Sequence, residues 1–118
     1  MAMGTVKSQD GTVIAFDEYG PADAPAVIHI YGATAHREVQ PEPAEIAQVA
    51  GGDLRVIVFD RRGRGESGDT QPYAVQREVE DIAALVAHAG GRAVLLGESS
   101  GGVLALEARH RHLVARRV

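Results

Sequence analysis

Cysteine is absent from the 118 residues, so neither disulfides nor thiolate chemistry is open to the chain, and no redox compartment is implied. Long apolar runs are absent as well: no stretch approaches the roughly 20 residues that a membrane helix needs. The opening Met1-Ala2-Met3-Gly4-Thr5-Val6-Lys7 lacks the apolar core of a signal peptide. There is no excess of positive charge; a formal net charge of −4 argues against nucleic acid as a general partner. Internal repeats, linkers and low-complexity segments are missing too. These absences leave residues 1–118 as a single domain with a modest core, expected in the cytoplasm, with neither membrane nor nucleic acid among its partners.

What is present is an alternation of strand-like and helix-like stretches. Thr5-Val6 and Thr12-Val13-Ile14-Ala15-Phe16 flank Ser8-Gln9-Asp10-Gly11, and Asp-Gly between two β-prone runs predicts a hairpin. After a turn at residues 20–25 comes Ala26-Val27-Ile28-His29-Ile30-Tyr31, which suits a strand buried on both faces. Residues 32–36 form the loop behind it, and Ile46 and Val49 at helical spacing predict a short helix after Pro43. Residues 54–60 are the next buried strand, followed by a loop over 61–70. From 74 to 89 the stripe Val75, Val79, Ile82, Val86 predicts an amphipathic helix, with Arg77, Glu78, Glu80 and Asp81 largely on its other side. Gly90-Gly91 stops it. Residues 93–96 give another strand and 103–108 the start of a last helix. This order predicts an α/β fold: a mostly parallel sheet flanked by helices, with an N-terminal antiparallel hairpin.

The chain is organised around Leu95-Leu96-Gly97-Glu98-Ser99-Ser100-Gly101-Gly102. Gly97-Glu98-Ser99-Ser100-Gly101 fits G-x-S-x-G, and it stands between a strand and a helix, the context in which that pattern acts as a nucleophile elbow. Such a turn lifts the serine hydroxyl above the end of the sheet and needs small residues two before and two after. Gly97 and Gly101 supply them for Ser99; for Ser100 the first small position would fall on Glu98. The Ser100 N–H, at the start of the helix, would face a developing oxyanion with the helix dipole behind it. The competing account is a glycine-rich strand-to-helix turn with a capping serine.

The loop after Asp60 also has two accounts. Gly63-Arg64-Gly65-Glu66-Ser67-Gly68 matches G-x-G-x-x-G and follows a strand. A dinucleotide site, however, wants its first glycine at the strand end and a helix opening straight after the last. Here Asp60-Arg61-Arg62 intervenes and Asp69-Thr70-Gln71-Pro72 follows, so the glycines are expected to let the backbone turn tightly, with Asp60 and the arginines tying the loop down.

Three placed motifs, Ile30-Tyr31-Gly32-Ala33-Thr34, Asp60-Arg61-Arg62-Gly63-Arg64-Gly65-Glu66-Ser67-Gly68 and Gly97-Glu98-Ser99-Ser100-Gly101-Gly102, together resemble the N-terminal half of an α/β-hydrolase. The match is closest to small bacterial hydrolases with a D-R-R-G-R-G-x-S-G loop. The resemblance implies a serine hydrolase acting on the ester or a related acyl bond of a small molecule, with no cofactor and no metal. It makes Ser99 the nucleophile, Ser100 and Ala33 the oxyanion-hole N–H donors, and Gly97 and Gly101 the structural glycines of the elbow. Where the family has His-Gly before that second donor, this chain has Tyr31-Gly32.

The same fold takes its triad in the order Ser, Asp or Glu, His. After Ser99 there is no Asp and one Glu, Glu107, on the helix that follows the nucleophile. His110 and His112 lie along that helix, ~15 Å from the elbow at 1.5 Å per residue, and read as cations near a helix C-terminus. His29 falls in a buried strand and His88 on the helix over 74–89. His36, in the loop at the catalytic end of the sheet, is the one substitute base to consider, against a role in capping or packing the next helix. The expectation is therefore a truncated hydrolase, weakly active or inactive alone, with acid and histidine beyond position 118 or on another chain. The alternative is a non-catalytic α/β binding or interaction module that keeps the elbow as structure. A strand stub near Val114 would leave residues 93–96 at an open edge, which predicts self-association or marginal stability.

Overall fold

The computed structural model describes residues 2–32, 45–46, 48–49, 51–110 and 116–117. The predicted hairpin is there: β1 (Ala2–Lys7) pairs antiparallel with β2 (Val13–Tyr19), with Val6 opposite Ile14. Its turn rests on Asp10-Gly11. Gly11 takes φ +87°, a region that an L side chain rarely adopts, and Asp10 Oδ1 accepts the Thr12 N–H at 3.0 Å.

β3 (Ala26–Ile30), β4 (Arg55–Phe59), β5 (Val94–Gly97) and β6 (Arg116–Arg117) complete a six-stranded sheet in the order β1-β2-β4-β3-β5-β6. β3 runs parallel to β4 on one side and to β5 on the other, and β6 runs parallel to β5. Among the described residues only β1–β2 and β2–β4 are antiparallel. The predicted class, a mostly parallel sheet behind an antiparallel hairpin, is the fold observed. Ile28, Ile57 and Leu95, on the three central strands, are fully buried, as expected of a sheet covered on both faces. Glu45, Ile46, Gln48 and Val49 are helical, where the spacing predicted a short helix.

Helix α1 (Val75–His88) lays Val79, Ile82, Leu85 and Val86 onto the core, and each buried side chain of this size contributes about 1.5–3 kcal/mol. Its end carries the signature expected of Gly90-Gly91. Gly90 has φ +100°, Gly90 N–H donates to Ala87 O and Gly91 N–H to Val86 O, which satisfies two of the carbonyls of the last turn. Helix α2 (Ser100–His110) buries Leu104, Ala105 and Ala108 against the same core and packs against α1 and β5.

Two expectations about α1 need correction. Val75 is 44% exposed and does not head the apolar stripe, whereas Leu85, left out of that stripe, is fully buried. The acidic residues do not form a solvated face. Glu78 (2% exposed), Glu80 (8%) and Asp81 (1%) are buried: two arginines from the loop after β4 reach Glu78 and Asp81, and Arg77 of the same helix reaches Glu80. Arg61 holds both oxygens of Glu78 at 2.7 and 2.8 Å, and Arg62 holds both oxygens of Asp81 at 2.8 and 2.7 Å. Paired, hydrogen-bonded charges can be buried; single ones cannot.

Candidate functional site

The sheet order places the site. The chain passes from β3 to β4 on one side and reaches β5 on the other, so a crevice opens at the carboxyl ends of β3 and β5. Gly32 lies just past the end of β3 and Ser99 just past the end of β5. A Cβ added to Gly32 would stand 3.5 Å from Ser99 Cβ and 3.9 Å from its Oγ, so the loop behind β3 runs beside the serine hydroxyl.

Ser99 has φ +55° and is the one non-glycine residue with positive φ among those described. A capping serine sits in the extended region, so an ordinary N-cap does not account for this backbone. The left-handed conformation costs an L-residue about 1–2 kcal/mol. It is held by the packing of the flanking glycines. A Cβ on Gly97 would come within 2.6 Å of the Gly101 carbonyl carbon, and one on Gly101 within 2.7 Å of Tyr31 O. The turn closes through Gly101 N–H to Glu98 O (2.8 Å) and Gly102 N–H to Ser99 O (2.9 Å), and Glu98 N–H ties it to Ile30 O (3.0 Å). Ser99 is exposed, and the Ser100 N–H, at the first position of α2, donates to no described residue.

The loop after β4 closes on itself. Gly63 N–H donates to Gly68 O, Gly68 N–H to Val13 O, and Glu66 N–H to Asp60 Oδ2 at 2.9 Å. Ser67 Oγ donates to Asp60 O and accepts the Ala15 N–H. A Cβ on Gly65 would lie 2.8 Å from Asp60 Oδ1. The Gly63 and Gly68 amides are thus spent on the loop and on β2, and no described helix opens between this loop and Val75, which removes the dinucleotide account.

Behind the elbow lies a buried polar network that the sequence did not reveal. Arg61 Nη1 donates to Ser100 Oγ at 2.9 Å and to Tyr31 O at 3.4 Å, while its other two nitrogens hold Glu78. Tyr73 Oη donates to Glu78 Oε2 at 2.5 Å. Burial pushes the Glu78 carboxyl upward, but the Arg61 guanidinium and the Tyr73 hydroxyl outweigh it and leave it below the usual carboxylate range. Glu78 in turn raises the Tyr73 hydroxyl. Arg62 binds Asp10 as well as Asp81, and this contact, with the Thr12 bonds, holds Asp10 well below its ordinary value.

The histidines divide. His29, 2% exposed, places Nε2 2.6 Å from Glu98 Oε1, one residue before Ser99, and its Nδ1 has no partner among the described residues. His88 pairs with Glu18 at 2.7 Å and Arg55 at 3.1 Å, far along the sheet. No histidine hydrogen-bonds to Ser99 Oγ among the described residues. Ala33, His36 and His112 lie outside the described residues, as does the side chain of His110. No group of three metal-ligating side chains is found among the described residues, and no described helix is long and apolar enough to cross a membrane.

Comparison with known proteins bears on the family and the fold. A family model described as "Alpha/beta hydrolase family" matches residues 18–118. The chain is 34% identical over 99 residues to the proline iminopeptidase PfmaB of Pestalotiopsis fici, covering 81% of this chain and 35% of that protein. It is 31% identical over 102 residues to the bifunctional esterase/perhydrolase DCH of Acinetobacter calcoaceticus, covering 85% and 36%. Among solved structures, an alpha/beta hydrolase from Sphaerobacter thermophilus superposes with a TM-score of 0.83 at 44% identity, over 96% of this chain and 44% of that one. The chain thus spans about a third of the length of the curated relatives it matches. With the elbow, the sheet order and the family match in agreement, the chain belongs to the alpha/beta hydrolase family.

Proposed function

We propose that this chain carries the nucleophile half of a serine-type hydrolase acting on an ester or related acyl bond. The observation that carries the reading is the positive φ of Ser99 at the strand-to-helix turn, with glycines on both sides that admit no Cβ. A backbone strained at one exposed serine is the kind of outlier found where a side chain is aimed for chemistry. In this reading Ser99 Oγ attacks the acyl carbon, forming an O–C bond while the carbonyl electrons move onto oxygen. The oxyanion meets the Ser100 N–H, backed by the α2 dipole, and the Ala33 N–H. Collapse breaks the bond to the leaving alcohol, which takes up the proton lost by Ser99, and water then hydrolyses the acyl-serine. The general base and the acid that orients it are taken from outside the described residues. An esterase and an iminopeptidase among the relatives support acyl chemistry as the class.

A fluorophosphonate probe tests the assignment. It is expected to label the wild-type protein at Ser99 and to leave Ser99→Ala unlabelled. Labelling of neither, in a folded protein that also fails to turn over p-nitrophenyl esters, would leave the elbow as structure in a binding module.

A further inference from the structure

Arg61 is one of the most buried charged residues of the chain, at 5% exposure, and its contacts run in two directions. Nε and Nη2 are fixed on Glu78 of α1, in the two-point geometry that holds a guanidinium plane in one orientation. Tyr73 completes the anchor through Glu78. That orientation leaves Nη1 facing the site. It donates to the Ser100 hydroxyl and towards the Tyr31 carbonyl. Ser100 carries a proposed oxyanion donor on its backbone. Tyr31 O also lies where a Cβ on Gly101 would be, so the peptide after β3 and the first turn of α2 are in direct contact.

We infer that Arg61 is a positioning residue for the oxyanion-binding end of the site. Its guanidinium, oriented by Glu78, joins the Tyr31 carbonyl behind β3 to the first residue of α2 and so fixes where the Ser100 N–H stands beside Ser99. Arg61 and Glu78 neutralise each other, so the effect is one of geometry rather than of added charge. The inference rests on Ser99 being the nucleophile. Arg62 provides the internal comparison, since it makes the same kind of buried two-point pair, with Asp81, but bonds to the hairpin residue Asp10 instead of to the elbow. An arginine needed only to bury a charge on α1 would behave like Arg62.

The test measures kcat and KM for p-nitrophenyl butyrate, together with the rate of fluorophosphonate labelling, in the intact protein. Variants are Ser99→Ala, Ser100→Ala, Arg61→Lys, the Arg61→Lys/Ser100→Ala double and Arg62→Lys. Arg61→Lys is expected to lower kcat and the labelling rate about tenfold at unchanged KM, less than the ~10²–10³ that follows outright loss of an oxyanion donor. Ser100→Ala, which removes the hydroxyl without stranding a charge, should reproduce much of that loss, and the double variant should be no slower than Arg61→Lys alone. Arg62→Lys should lower the unfolding midpoint and leave kcat within twofold of wild type. Wild-type kcat in Ser100→Ala, additive losses in the double variant, or an equal loss in Arg62→Lys would overturn the inference. If Arg61→Lys does not fold, Ser100→Ala decides by itself. Turnover that survives in Ser99→Ala would instead remove the nucleophile assignment and the inference with it; loss in Ser99→Ala beside wild-type rates in Ser100→Ala removes the inference alone.

Discussion

Ser99 holds a conformation that its own side chain disfavours, and that conflict can be measured. At φ +55° a serine carries a cost that glycine does not. Ser99→Gly is therefore expected to raise stability by about 1 kcal/mol over Ser99→Ala, while both abolish probe labelling. Urea unfolding of the two variants checks this; equal midpoints would mean that the turn is relaxed in solution. The same backbone explains why Gly97 and Gly101 are bound to their positions. Each faces carbonyl groups that leave no room for a methyl group, whereas Gly90 and Gly91 face open space and are there for their positive φ. The carboxylate of Glu98 and the ring of His29 meet immediately behind the serine, so the residue between Gly97 and Ser99 is tied to β3 by its side chain as well as by its N–H.

At the scale of elements, α1, the hairpin and the loop after β4 are joined by buried or half-buried carboxylates. Arg62 holds Asp10 of the hairpin turn and Asp81 of α1, Arg61 holds Glu78 of α1, and Arg55 of β4 holds Glu18 of β2. Asp10 is held low by Arg62 and Thr12, Glu18 by Arg55, and Glu78 remains low despite its burial. An unfolded chain titrates such groups near pH 4. Below that pH the unfolded state binds more protons than the folded one, so stability rises with pH there. The contribution is whole above about pH 4 and is lost as pH falls through the lowered folded values. The urea midpoint is expected to be flat from pH 7 to 5 and to drop steeply towards pH 2.5. Asp10→Asn should cost stability at pH 7, and the gap to wild type should narrow in acid. A gap that stays constant would show that the Asp10–Arg62 bond contributes nothing through its charge.

For the molecule as a whole, the last strand among the described residues is β6, which pairs with β5 through Val94–Arg116 and Leu95–Arg117. Leu96 and Gly97 have no strand partner on that side among the described residues. Apolar side chains around unpaired backbone groups invite pairing with a second sheet. The 118-residue chain by itself is expected to self-associate at micromolar concentration, through this edge. Sedimentation velocity decides: a cooperatively melting monomer would show that the edge is closed by the remaining residues of the chain.

The sequence by itself determined the order of the elements, the hairpin at Asp10-Gly11, the end of α1 at Gly90-Gly91 and the tight strand-to-helix turn at Ser99. All of these depend on local chemistry: which residues tolerate positive φ, and where apolar residues recur at a period of two or 3.6. The tying down of the loop by Asp60 and its arginines was legible for the same reason, since a tight glycine turn beside a carboxylate needs its N–H groups bound. What only the tertiary structure decided is where charge goes. Helical periodicity put Glu78, Glu80 and Asp81 opposite the apolar stripe and so suggested water, yet periodicity counts faces and does not know what arrives on them. Arg61 and Arg62 come from a loop 17 and 19 residues away in sequence from the carboxylates they bury. The same holds for His29 and Glu98, 69 residues apart, which meet because β3 and β5 are neighbours in the sheet. Such pairs exist only once the strands are in order, because an ion pair becomes worth burying only when its partner is already held at bonding distance.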